Sequence, residues 1–136
     1  MPIKELCGNS VYLLLVMAIS ALYFVVSGLQ FWITPYLTTV IGVPQSEVYT
    51  VYITMCLSAP SLGVVISIVL FNCIGGYNTR AAYLLCLLFG CMALVAAIPL
   101  PFASQCPIVY SSLWSIFFFG TIILAPLVGM MLNQVP

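Results

Sequence analysis

Only four side chains in this 136-residue chain carry a full charge at neutral pH: Lys4, Glu5, Glu47 and Arg80. There is no histidine. Two carboxylates without an imidazole leave acid–base chemistry and Ser–His–Asp hydrolysis short of their parts. The six cysteines, Cys7, Cys56, Cys73, Cys86, Cys91 and Cys106, include no C-x-x-C pair. No histidine completes a zinc site or activates a thiolate. An enzyme is therefore not expected, nor is a metal or any other cofactor. Cys56, Cys86 and Cys91 fall within apolar runs, where a thiol serves as a small packing group. Zero net charge and the lack of a basic cluster give no reason to expect a nucleic-acid partner.

What remains for chemistry is uncharged and polar. Ser20, Tyr23, Ser27, Gln30 and Thr34 recur so that, at about 100° per residue, all five fall within an arc of roughly 80° on one helix. Such a face lines a water-filled or substrate-binding cavity, or else forms a seam where Ser and Gln bond a neighbouring helix. Thr50, Thr54, Ser58 and Ser61 repeat the theme on a second helix, where their small size favours close helix packing.

These residues need helices to position them, and composition says which kind. With 65% apolar and 3% charged residues, the chain has too little polar surface to cover a water-soluble globule. Four apolar stretches, 11–33, 48–74, 81–100 and 108–132, are each long enough to cross about 30 Å of hydrocarbon. The runs are continuous, not alternating, which excludes barrel strands. The first has the length of a span and no small-residue cleavage signature after it, so a secretory signal is the weaker assignment. The fold class is all-α: a polytopic membrane protein of four antiparallel transmembrane helices in a single transmembrane region over 1–136, whose immediate partner is the lipid bilayer.

The connections are short and rich in proline and glycine: Thr34 to Glu47, Gly75 to Arg80, and Pro101 to Pro107. Ser46 is a candidate cap for the second helix with Glu47 in its first turn, Asn78 or Thr79 for the third, and Pro107 suits the start of the fourth. Pro60 and Gly63 in the second helix, and Gly120, Pro126 and Gly129 in the fourth, are candidate helix breaks. The third stretch has no charge, amide or hydroxyl beyond Tyr83 near its start, so it can face lipid on most sides. Lys4 and Arg80 fall on one side of the membrane in antiparallel threading, and that side is expected to be cytoplasmic. Glu47 and Cys106 then lie opposite.

The run Phe24-Val25-Val26-Ser27-Gly28-Leu29-Gln30-Phe31-Trp32, followed by Pro35-Tyr36-Leu37, resembles the first helix of the C-terminal half of spinster-like transporters of the major facilitator superfamily. The similarity extends through Ala59-Pro60-Ser61-Leu62-Gly63 and Gly75-Gly76-Tyr77-Asn78, aligning the four spans with the seventh to tenth helices of a twelve-helix transporter. The superfamily's cytoplasmic loop motif, Gly-x-x-x-Asp-Arg-x-Gly, can be laid over Ile68 to Tyr77 with its second glycine on Gly75, beside Gly76. Asn72 then replaces the acid and Cys73 the base, leaving Arg80 as the nearby cation. The resemblance implies that the first and fourth helices line a central cavity, the second rocks at the interface and the third is peripheral. The fourth fits this least well, since Ser111, Ser112 and Ser115 cluster at its outer end and only Thr121 lies deeper.

On this reading the chain is a fragment of a transporter that moves a small organic solute or lipid by alternating access. Tyr23, Gln30 and Ser27 are its cavity contacts, and its partners are the unknown substrate and the missing transporter helices. It lies in the plasma or an endolysosomal membrane and does not transport alone. The alternative is a small four-span structural or interaction protein working by lateral association, with the loop from Tyr36 to Glu47 as its outward feature.

Overall fold

The structure, a computed structural model, describes residues 8–77 and 79–134. Those residues form four helices and no strand: α1 (Ser10–Thr39), α2 (Gln45–Cys73), α3 (Arg80–Ala97) and α4 (Cys106–Leu132). All four are long and apolar enough to cross a membrane. Even α3, with 18 residues, spans about 27 Å at about 1.5 Å per residue. The outer surface agrees with this: Phe24 is 81% exposed, Leu94 70% and Leu14 69%. Apolar surface on that scale is stable against hydrocarbon and unstable against water. This is the architecture of a multi-pass membrane protein.

The helices cover the expected spans, with differences at their ends. The first runs on past Ile33, through Pro35, to Thr39. Proline withholds the N–H that would serve the Phe31 carbonyl, yet tight local bonding carries the last turn. There, the Val40 N–H donates to the Tyr36 carbonyl (3.0 Å), and the Thr38 and Thr39 hydroxyls donate to the Thr34 and Pro35 carbonyls. The third helix stops at Ala97, short of Leu100, because Pro99 cannot donate back to Val95. Thr79 caps α3 as expected, its Oγ1 accepting from the Ala82 N–H at 3.2 Å. Asn78 lies outside the described residues, as does Lys4. Ser46 is not a cap: α2 begins at Gln45 behind Pro44, with no side-chain cap bond. Glu47 does sit in its first turn and Pro107 in that of α4.

The packing is centred on the last helix. Of its most apolar 18-residue stretch 39% is buried, against 22% for α2 and 6% each for α1 and α3. The other three helices pack on α4 more than on one another. Two apolar clusters result, one toward each end of the bundle. The outer one joins Ile33, Leu37, Val43, Val48, Met55, Val109 and Leu113. The inner one joins Leu15, Phe71, Ala82, Ile123, Leu127 and Met130. This grouping puts the start of α1, the end of α2, the start of α3 and the end of α4 on one side, as antiparallel threading requires. Asn9 at the head of α1 donates to the Gln134 side-chain carbonyl just beyond α4 (3.2 Å), closing that end.

Two residues set how closely α2 approaches α4 near Pro126. The candidate breaks Pro60, Gly63 and Pro126 do not interrupt their helices. Pro126 still leaves the carbonyl four residues back, that of Ile122, without its helical donor. The hydroxyl of buried Ser67 donates to that carbonyl at 2.9 Å. One turn away, Gly63 lets the backbones meet: a Cβ there would stand 2.9 Å from the Phe118 carbonyl oxygen and 3.1 Å from Thr121 Cβ. Small residues at such crossings, with a hydroxyl bonding across, are how helices associate where no hydrophobic effect drives them together.

Three substitutions test this packing by SDS-titration unfolding in detergent micelles. Ser67→Ala leaves the Ile122 carbonyl bare and should destabilise by about 1–2 kcal/mol. Gly63→Ala forces backbone apart and should cost about 1–3 kcal/mol. Tyr110→Phe should be neutral or stabilising by up to about 1 kcal/mol, because the Tyr110 hydroxyl is buried with no hydrogen-bond partner among the described residues.

Candidate functional site

Between the two apolar clusters, at mid-depth, α1 stands off from its neighbours. At about 100° per residue, the buried line Leu15, Ile33 and Leu37 divides α1 into two flanks. Ser20, Tyr23, Ser27, Gln30 and Thr34 lie on one side of that line, and Ala18, Ala21 and Val25 on the other. The polar flank turns toward α2 and the apolar flank toward α3.

On the polar side there is a cleft of about 180 Å³ between α1, α2 and α4. Tyr23 and Gln30 line it from α1, Cys56 and Pro60 from α2, and Phe117 and Thr121 from α4. Along the axis of α1, Tyr23 is about 2 Å and Gln30 about 8 Å from the helix midpoint, well inside a hydrocarbon core of about 30 Å. Thr121 spends its hydroxyl on the Phe117 carbonyl (2.7 Å). Tyr23, 56% exposed, and Gln30, also exposed, stand at the open side of the cleft and have no hydrogen-bond partner among the described residues. An amide left so in lipid is costly, and it offers two donors and an acceptor to whatever enters.

The other three members of the arc are not brought into the cleft. Ser20 and Ser27 are exposed and Thr34 is half-buried, flanking the opening along the same face. Thr50, Thr54 and Ser61 are likewise exposed, each hydroxyl bonded to the carbonyl four residues back in α2. Close packing within this chain is thus not their role. Ser58 alone reaches across, accepting from Trp114 Nε1 at 3.1 Å. In α4, Ser112 is buried, while Ser111 and Ser115 bond their own helix. Among the cysteines, Cys56 and Cys86 are half-buried as packing groups, but Cys91 is exposed on the outer surface.

The loop residues singled out by sequence have a structural explanation. Gly75 and Gly76 adopt φ of +86° and +95°, the left-handed conformation that ends a helix. Their N–H groups return to the Asn72 and Phe71 carbonyls (3.3 and 2.9 Å). Tyr77 then folds back so that its ring covers Gly129 of α4. Asn72 and Arg80 are both exposed, and Arg80 has no ion-pair partner among the described residues.

Sequence reasoning found Tyr23 and Gln30 by their spacing. It missed the contributions of Cys56, Pro60 and Thr121 to the cleft, because only the α2–α4 register brings them opposite α1. No family model matches this chain, and neither a curated protein nor a solved structure matches it.

Proposed function

We propose that these four helices are part of the membrane domain of a secondary transporter resembling the spinster-like branch of the major facilitator superfamily. It moves a small organic solute or lipid by alternating access. What carries this reading is the pair Tyr23 and Gln30, two hydrogen-bonding side chains without partners among the described residues that line one mid-depth cleft. A cleft at that depth, walled by helices containing prolines such as Pro60, is where alternating-access proteins hold their cargo.

The residues lining the cleft are uncharged, so recognition here works by hydrogen bonding and shape, and Glu47, the acid in the described helices, sits in the first turn of α2. The polar flank of α1 supports its assignment to a cavity wall. The deep burial of α4 makes it a central helix of this domain, and its Thr121 and Gly120 face the same cleft. Alternating access needs two halves moving about such a site; the four helices alone supply one wall.

Vesicles containing only this chain should show no saturable uptake across a panel of labelled small organic solutes and lipids. In the assembled transporter, Gln30→Leu should lower initial uptake about tenfold, the loss of one hydrogen bond to cargo of about 1.4 kcal/mol. Saturable uptake by the chain alone, or unchanged uptake with Gln30→Leu, would contradict the proposal. Threading is checked separately in intact cells on a background lacking the other cysteines. Cys106 should react with a membrane-impermeant thiol reagent from outside, and Arg80→Cys only after permeabilisation.

A further inference from the structure

The other flank of α1 borders a larger space. Between α1 and α3, floored by α4, runs an apolar groove of about 580 Å³. Its walls narrow to small side chains, Ala18 and Ala21 on α1 and Gly90 and Ala93 on α3. Tyr36 Oη, which bonds the Leu100 and Ala103 carbonyls (3.4 Å each), ties α1 to the loop at the outer end, where Leu100 lines the groove. At the opposite end lies Arg80. With about 100° per residue, Arg80, Tyr83, Leu87 and Leu94 fall within about 60° on α3, and the last three form the rim of the groove. The exposed guanidinium, without an ion-pair partner among the described residues, thus stands at the membrane surface on the same stripe that leads into the groove.

We infer that the groove holds an acyl chain of an anionic phospholipid whose headgroup is bound by Arg80. Two observations select this occupant. The lining is almost wholly apolar, so the occupant carries no polar group along its length. The charge at that end is positive, exposed and without an ion-pair partner among the described residues, which selects an anionic headgroup from the surrounding leaflet. An unfilled space of this size is not stable in hydrocarbon, because its walls forfeit their dispersion contacts. The inference does not rest on the transporter reading.

The test uses the whole chain in phosphatidylcholine vesicles containing a small fraction of a photoactivatable probe, either phosphatidylserine or phosphatidylcholine with the same reactive acyl chain. The serine probe should form adducts on Leu22, Val25, Leu87 and Leu94 about fivefold more than the choline probe. Leu57 and Val65, on the outer face of α2, should be labelled equally by both. Arg80→Gln should bring the groove preference down to about onefold, and Ala93→Phe should remove groove adducts while leaving the α2 labelling unchanged. Equal labelling of the groove by the two probes in the unaltered chain would overturn the inference. So would a groove that neither probe labels, or one that links only to a second copy of the chain.

Discussion

A carbonyl in hydrocarbon has no water to bond, and Pro126 creates one at Ile122 in the helix on which the other three pack. The hydroxyl of Ser67 meets it at 2.9 Å. That bond fixes the rotation of α2 about its own axis, so that Gly63, one turn away on the same side, brings its backbone against Phe118 and Thr121. With α2 seated in this register, Cys56 and Pro60 face the space beside α1, and the cleft has its second wall. The site is thus a consequence of how one proline in α4 is satisfied.

Along α1 burial is concentrated toward the two ends, at Leu15 and at Ile33 and Leu37, while α2 and α4 stay packed through the middle. The outer cluster around Leu37 and Val109 and the inner cluster around Phe71 and Met130 hold α1 to α4 at two levels. Between them α1 touches its neighbours less, with a partly polar cleft on one flank and an apolar groove on the other. A helix pinned at both ends thus has different chemistry on its two sides, hydrogen-bonding groups on one flank and an apolar wall on the other.

Much of this was legible in the residues. Hydropathy alone located four spans, since continuous apolar runs of this length have no other stable arrangement. The polar arc of α1 follows from spacing; which of its members line a cleft, Tyr23 and Gln30 but not Ser20, Ser27 or Thr34, does not. The end of α1 was misplaced because Pro35 reads as punctuation, whereas threonine hydroxyls and a Val40 N–H hold the turn that follows it. Ser46 looked like a cap, but Pro44 starts the helix first. The pairing of Ser67 with Ile122 has no signature along the chain: it depends on which helix faces which, and four helices that are each apolar on nearly every side do not declare their neighbours. For the same reason the hydroxyls of Thr50, Thr54 and Ser61 suggested a packing seam that this chain does not make.

The two-sided character of α1 is the claim on which both functional readings depend, and a spin-label scan over residues 18–34 in reconstituted vesicles measures it most directly. Collision with a water-soluble nickel reagent should peak at 20, 23, 27, 30 and 34. Collision with oxygen, which concentrates in lipid, should peak out of phase at 18, 21 and 25, with position 33 low for both. Two such offset periodicities are the predicted result. A single periodicity, in which the polar positions track the apolar ones or are protected from both reagents, would show that α1 has one exposed face and no cleft, contradicting the account.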